Sequence, residues 1–194
     1  VPTSTTSAAT PASSVTLSTE DMKKLTGLYR SPAATIRRVT LQDGKLGVDS
    51  IVGPRRELAP LAADRFRILG LDPPAHATFS AAQGKMQMSL ERPGQPAENF
   101  VAVETASPTA AQIAEFAGTY YSEELDATYR FAVENEKLTV RQKGQQPRAL
   151  TPTTRDGFIG PGGGTFEFQR DAQGRVSGFL VQAGRIRGVA FARR

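Results

Sequence analysis

An internal repeat constrains this chain more than any other feature of its sequence. Residues 25–29 (Leu-Thr-Gly-Leu-Tyr) return as residues 116–120 (Phe-Ala-Gly-Thr-Tyr), 91 positions later. Further matches at offsets of 87 to 92 are Lys45-Leu46 with Lys137-Leu138, Leu58-x-Pro60 with Leu150-x-Pro152, Asp64-x-Phe66 with Asp156-x-Phe158, Thr78-Phe79 with Thr165-Phe166, and Gln83-Gly84-Lys85 with Gln173-Gly174-Arg175. A pattern that returns at a nearly constant distance indicates a duplicated structural unit.

The repeat divides the 194 residues into three parts. Residues 1–17 are uncharged and consist mostly of Ser, Thr, Ala and Pro, so we expect a disordered linker. They lack the basic and apolar regions of a signal peptide. Residues 18–105 and 106–194 are predicted to form one unit each.

Each unit is predicted to begin with a short helix. Ser18 and Thr109 are candidate N-caps, and Asp21 and Gln112 follow three residues later, as in a capping box. A glycine then ends each helix. The two units therefore start alike, which supports the duplication.

The rest of each unit alternates between apolar and polar residues or breaks at turns, as short strands do. The strands predicted in the first unit are 27–30, 34–42, 45–52, 56–63, 65–70, 77–81, 85–91 and 98–104. Those predicted in the second unit are 118–122, 128–135, 137–142, 148–155, 157–160, 164–171, 176–182 and 185–193. No connection is long enough for a crossover helix, so sequential strands should pair antiparallel.

We therefore predict an all-β protein made of two tandem, small, eight-stranded antiparallel meander barrels. Closing each sheet removes its open edges, and the leading helix would lie across one mouth. An eight-stranded barrel has room inside for its own side chains or one small ligand. The alternative is a single larger barrel or sandwich built from both units.

Composition excludes several classes of site. The chain has no Cys and one His, which rules out thiolate metal sites, disulfides, a Cys nucleophile and any site with two imidazoles from one chain. The net charge of +5 comes from 24 basic and 19 acidic residues spread along the chain, so no nucleic-acid interface is predicted. No stretch is long enough for a membrane span. We predict no cofactor and no metal.

The second unit resembles the C-terminal lipocalin-like domain of β-lactamase-related, penicillin-binding-protein-like serine hydrolases of bacteria and archaea. The first unit shares the resemblance loosely, through the repeat. The residues that carry it are Phe116-Ala-Gly-Thr-Tyr-Tyr-Ser-Glu-Glu-Leu-Asp-Ala-Thr-Tyr-Arg-Phe, Lys137-Leu138, Leu150-x-Pro152, Phe166-x-Phe168-x-Arg170-Asp171, Gly174-Arg175-Val176-x-Gly178-Phe179 and Gly184-Arg-Ile-Arg-Gly-Val-Ala-Phe. They are mostly core and turn residues.

The resemblance implies a non-catalytic role. In that family the chemistry resides in an upstream domain with a Ser-x-x-Lys motif, and no serine of this chain is followed by that spacing. No Gly-x-Ser-x-Gly elbow is present either, so no catalytic residue is assigned. The resemblance implies an accessory region of an exported, periplasmic or secreted bacterial serine-hydrolase-type protein. This region would modulate substrate access or assembly, with the upstream hydrolase domain as a partner.

An acidic segment in the second unit is a candidate binding site. Glu123, Glu124 and Asp126 follow its first predicted strand, and Arg130 lies nearby. Paired carboxylates can act as acid and base or hold a cation, although the spacing is not that of an EF-hand. The alternative is a solvated loop in which Arg130 pairs with the carboxylates.

Four tyrosines are predicted to surround the same region, namely Tyr29, Tyr120, Tyr121 and Tyr129. Strand alternation places Tyr120 and Tyr121 on opposite faces, so only one of the two can point inward. Tyr suits the wall of a binding pocket, and it equally suits a barrel core whose hydroxyl reaches the rim.

Three other segments receive structural interpretations. His76 follows two prolines and is predicted to lie in a loop. Residues 160–164 (Gly-Pro-Gly-Gly-Gly) precede a strand rather than a helix, so we expect a hairpin loop and not a phosphate loop. Arg55 and Arg56 are predicted to form a solvated pair at a turn.

Three functions remain open. The first is the accessory role that the resemblance implies. The second is a stand-alone binding protein for a small apolar ligand or peptide, with the aromatic content of the units arguing for filled interiors. The third is an interaction module that binds a protein or cell-wall polymer through its arginine-rich outer faces.

Overall fold

The computed structural model describes residues 16–183 and 186–194, so the linker predicted over residues 1–17 lies almost entirely outside the described residues. Helix α1 spans Thr19–Lys24, and α2 spans Ala110–Ala114. The strands are β1 (Gly27–Arg30), β2 (Ile36–Gln42), β3 (Lys45–Asp49), β4 (Arg56–Pro60), β5 (Arg65–Ile68), β6 (Ala75–Ala82), β7 (Lys85–Glu91), β8 (Glu98–Val103), β9 (Gly118–Ser122), β10 (Ala127–Glu134), β11 (Lys137–Gln142), β12 (Arg148–Ala149), β13 (Thr151–Thr154), β14 (Gly157–Ile159), β15 (Thr165–Arg170), β16 (Val176–Ala183) and β17 (Ile186–Arg193).

The first unit is a closed barrel. Its strands pair antiparallel in chain order from β1 to β8, and β8 pairs back on β1 with Ala102 opposite Tyr29. The predicted caps start both helices: Ser18 accepts a hydrogen bond from the Asp21 amide, and Thr109 with Gln112 forms a complete capping box. Barrel closure and the leading helix are confirmed.

The second unit is a nine-stranded antiparallel sheet whose two end strands, β12 and β13, belong to one stretch of chain. Leu150 alone separates them, and its amide donates a hydrogen bond to the Leu138 carbonyl at 2.8 Å. In the first barrel the corresponding strand, β4, stays continuous and pairs with β3 and β5. The sheet thus wraps into a second barrel, and the alternative of one larger barrel or sandwich is wrong.

The two barrels have separate cores that share no residue. Each core contains a buried tyrosine from the first strand whose hydroxyl bonds back to the end of the leading helix. The Tyr29 hydroxyl donates to the Leu25 carbonyl at 2.8 Å, and the Tyr120 hydroxyl donates to the Phe116 carbonyl at 2.9 Å. The barrels meet through Arg30, whose guanidinium contacts the Glu167 carboxylate at 2.7 Å.

Strand register corrects one match of the sequence repeat. Phe66 lies opposite Ala77 in the first barrel, and its counterpart Phe158 lies opposite Phe166 in the second. Ala77, and not Phe79, is therefore the equivalent of Phe166. The match of Thr78-Phe79 with Thr165-Phe166 was therefore wrong by two residues. A shift of two keeps every side chain on the same face of the strand, so the alternation of apolar and polar residues could not reveal the error.

The corrected register shows that the first barrel has the smaller interior side chains. Val39 lies opposite Gly27 where Phe131 lies opposite Gly118. The further equivalent pairs are Ala77 with Phe166 and Met88 with Phe179. All six side chains are buried. Three rings that fill the second barrel are thus absent from the first.

Candidate functional site

Of the predicted site residues, Tyr120 and Tyr129 point into the second barrel. Tyr120 is fully buried and packs edge-on against Phe131 and Phe179, and burial raises the pKa of its phenol while Arg193 opposes the shift. Tyr129 is half-buried, with its ring centre 4.8 Å from that of Phe191, and burial likewise raises its pKa. The interpretation as barrel core fits both residues.

The other predicted site residues lie outside the barrel wall. The Tyr121 hydroxyl donates to Asp126 at 2.8 Å, and this hydrogen bond is the main reason that the Tyr121 pKa is raised. The Arg194 guanidinium lies 3.7 Å above the Tyr121 ring. Glu123, Glu124, Asp126 and Arg130 are exposed, as the solvated-loop interpretation expects.

Two further expectations for this loop can be compared with the contacts. Arg130 forms no ion pair with Glu123, Glu124 or Asp126 in the described structure, so the predicted pairing is wrong. Within residues 16–183 and 186–194, no group of three His, Asp or Glu side chains is arranged to hold a metal ion. The wall of the barrel separates the predicted residues, and they do not form one pocket.

Three other sequence interpretations can be compared with the structure. His76 lies on β6 between Arg67 and Glu91 of the neighbouring strands, so the predicted loop position is wrong. Residues 160–164 do form the hairpin loop between β14 and β15.

Arg55 and Arg56 are hydrogen-bonded rather than simply solvated. Arg55 donates to the Lys45 carbonyl at 2.7 Å and lies where a Cβ on Gly47 would be. Arg56 donates to the Gly70 carbonyl at 2.7 Å.

A candidate binding site that combines an open cavity with charged side chains lies at the mouth of the first barrel, at the end away from α1. An open cavity of about 380 Å³ lies there, where β3, β5 and β7 end and β2, β4, β6 and β8 begin. Its apolar floor consists of Val48, Ile68, Ala75 and Leu90. Three cations, Arg37, Arg56 and Arg92, and two carboxylates, Asp49 and Asp72, also line it.

Two of these arginines point into the barrel, and Arg56, opposite the buried Val48, donates to the Gly70 carbonyl. Of the two, Arg37 is the one that has most of its donors free among the described residues. It lies opposite Tyr29 in the β1–β2 register, and residues opposite each other share a face, so its side chain is on the inner face. Its guanidinium lies 5.8 Å from the centre of the buried Phe100 ring, within the range of a cation–π contact. Burial lowers its pKa, Arg92 adds to the effect and Glu98 opposes it.

Most of the Arg37 donors have no acceptor among the described residues. A guanidinium carries five N–H donors, and the structure shows one hydrogen bond, from Nη1 to the Ile36 carbonyl at 3.2 Å. The nearby carboxylate of Asp49 is engaged on the outer face by Arg38, at 3.1 Å. A half-buried cation with free donors above an apolar floor is suited to the anionic group of a ligand.

The second barrel lacks this arrangement at the same place. Tyr129 lies opposite Tyr120 as Arg37 lies opposite Tyr29, so the two are equivalent. Tyr129 packs on Phe191 where Arg37 lies over Phe100. At this position the first barrel therefore has a charged side chain beside an open cavity, whereas the second has a neutral ring packed into its core.

Sequence reasoning treated the arginines as outward-facing and missed Arg37. A signal was present: Arg37 and Arg38 are consecutive residues of one predicted strand. Because successive side chains of a strand alternate between faces, one of two neighbouring arginines must point inward.

Comparison with known proteins adds little. No protein-family model matches the sequence, and no curated protein matches it. Two solved structures are similar to it at 18% sequence identity, one of SurE with D-Leu and one of SurE, with TM-scores of 0.35 and 0.36. Each match covers 67% of this chain and 38% or 36% of the other, so the chain spans little more than a third of their length. The described residues contain no helix long and apolar enough to cross a membrane.

Proposed function

We propose that this chain is a non-catalytic binding region whose first barrel takes up a small anionic molecule at its mouth. The observation that carries the proposal is Arg37, a half-buried guanidinium that points into the barrel above an apolar floor. Burying a charge is costly unless a partner compensates it. An anionic ligand would supply that partner.

The cavity defines the ligand class. A volume of about 380 Å³ lies near the lower end of the range for small-molecule sites, about 300–1,000 Å³. The guanidinium fork matches a carboxylate with two parallel hydrogen bonds, and the Asp49 and Asp72 carboxylates in the lining disfavour a multiply charged anion such as phosphate. We therefore assign a small carboxylate with a short apolar part, which the volume of the cavity and its apolar floor can accommodate.

The wider role that we propose is accessory. It rests on the resemblance of the second unit to the C-terminal domain of exported serine hydrolases, and it places the chain in the periplasm or outside the cell. Its test is the size of the native gene product, measured by immunoblot in the source cells. A product that includes a hydrolase domain would support the accessory role, and a product the size of this chain would contradict it.

Binding is tested by thermal shift and calorimetry on the full chain with a panel of short-chain and aromatic carboxylates. We expect at least one to raise the melting temperature of the unaltered protein, because a ligand that binds only the folded state stabilises it. Arg37→Gln should abolish that shift.

The matched control is Arg67→Gln, which removes an exposed arginine from the outer wall of the same barrel. It should bind like the unaltered protein. An equal shift in Arg37→Gln, or no shift with any carboxylate, would overturn binding at the mouth. Ester or peptide hydrolysis by the chain that one substitution in it abolishes would overturn the non-catalytic assignment.

A further inference from the structure

The outer face of the second barrel carries a second cationic feature, which we call the β10–β11 groove. It is an open groove of about 420 Å³ lined by Thr128, Arg130, Arg141, Gln142, Lys143 and Gly144. Arg130 of β10 lies directly opposite Arg141 of β11. Both arginines and Lys143 are exposed.

The same position in the first barrel holds an ion pair instead. There Arg38 of β2 lies opposite Asp49 of β3, and the two side chains meet at 3.1 Å. Arg38 and Arg130 are equivalent because Leu28 and Thr119 lie opposite them on the first strands. The duplicates thus keep the first arginine and replace its acidic partner with a second arginine.

Two arginines opposite each other lower the stability of the second barrel when no ligand is bound. Like charges directly opposite each other on neighbouring strands destabilise a sheet. No carboxylate of the described residues lies within ion-pair distance of Arg130, Arg141 or Lys143.

We propose that the β10–β11 groove binds the phosphate group of a partner molecule. The side chains on its outer face offer the two guanidinium forks, the Lys143 ammonium and the Thr128 hydroxyl as donors, whereas Gln142 lies opposite Tyr129 and points inward. A phosphate is multiply charged and accepts hydrogen bonds on several oxygens, so it can engage both arginines at once. A single carboxylate would leave part of this donor set without an acceptor.

The phosphate can belong to a soluble phosphate ester or to a lipid headgroup, since both present the same oxygens. The site is independent of the first barrel's mouth, because it lies on the outer wall of the other barrel and shares no residue with it. Loss of binding at one site therefore leaves the other measurable.

The test uses the full chain and two probes. Inorganic pyrophosphate is titrated by calorimetry, and flotation is measured with phosphatidylcholine vesicles that contain or lack phosphatidic acid. We expect binding of pyrophosphate, of the phosphatidic acid vesicles, or of both, and the pattern identifies the source of the phosphate. Arg130→Gln should weaken binding about tenfold or more, as expected for a lost charged hydrogen bond. Added salt should weaken it further.

The decisive variant is Arg141→Asp, which restores the pair present in the first barrel. It should abolish phosphate binding with no loss of melting temperature, while Arg67→Gln on the first barrel should bind like the unaltered protein. Equal binding by Arg141→Asp and the unaltered protein, or binding of neither probe, would overturn the proposal. If Arg141→Asp fails to fold, unchanged affinity in Arg130→Gln decides against it.

Discussion

Arg37 and Tyr129 occupy the same position in two copies of one barrel, each opposite the buried tyrosine of the first strand. In the second barrel the phenol ring completes an aromatic core. In the first barrel the guanidinium lies over a single ring, at the edge of an open cavity. One exchange of side chain separates a filled barrel end from one that is suited to bind an anion.

Exchanging Arg37 for the residue of the second barrel tests this relationship. Arg37→Tyr should abolish carboxylate binding and leave the melting temperature the same or higher, because a partly buried charge is replaced by a ring that can pack edge-on against Phe100, as Tyr129 packs against Phe191. Thermal denaturation with and without carboxylate measures both effects. A large loss of stability would show that the guanidinium is a structural part of the barrel.

Exchanging charges across the strands should change stability in opposite directions in the two barrels. Arg141→Asp removes like-charge repulsion and should raise the free energy of unfolding by about 0.2–1 kcal/mol. Asp49→Arg should lower it by more, because Asp49 also accepts the Ile51 amide hydrogen bond. Chemical denaturation of both variants checks the signs. A loss of stability in Arg141→Asp would contradict the repulsion.

The buried phenols should make the protein sensitive to alkali. Burial raises the pKa of Tyr29, so the unfolded chain releases this proton from about pH 10 while the folded chain retains it. The free energy of unfolding is therefore unaffected below about pH 10 and falls above it, by at most about 1.4 kcal/mol per pH unit for one phenol.

The variant Tyr29→Phe isolates this effect. It should be about 1 kcal/mol less stable at neutral pH, because the Leu25 carbonyl loses its donor. Its stability should fall less steeply above about pH 10 than that of the unaltered protein. Urea denaturation across this range is the measurement, and an unchanged slope would rule out Tyr29 as the source.

Gly178 should be intolerant of any side chain. A Cβ at this position would lie 2.5 Å from the Phe191 carbonyl oxygen on the neighbouring strand, and a backbone atom cannot rotate away. We expect Gly178→Ala to cost about 1–3 kcal/mol, the usual range for overpacking. Ser177→Ala, at the exposed neighbouring position, is the control, and equal stability of the two variants would contradict the clash.

Local patterns predicted the fold because each element follows from nearby residues. Alternation located the strands, as in Tyr129-x-Phe131, and the cap residues Ser18 and Thr109 located the helices. Short connections predicted antiparallel neighbours, and closure was predicted because it removes the open edges of the sheet. These signals depend on a few adjacent residues and are therefore visible in sequence.

The candidate sites were harder to predict because they depend on pairing between strands. Sequence showed that Arg130 and the acidic loop lie close along the chain, but Arg130 faces Arg141 across the sheet. It showed the arginines but not that Arg37 shares the inner face with Tyr29. The break at Leu150 in the predicted strand 148–155 was not predicted either. It arises because the first part of this stretch, β12, pairs with β11 and the second part, β13, pairs with β14.

The separation of the two cores has a consequence for how the chain can evolve. Proteins tolerate mutations until their stability falls below a threshold, and here each barrel draws on its own set of buried residues. A substitution in the smaller-residue interior of the first barrel leaves the aromatic packing of the second intact. Duplication thus gives the chain two interiors, and substitutions that change the specificity of one leave the packing of the other in place.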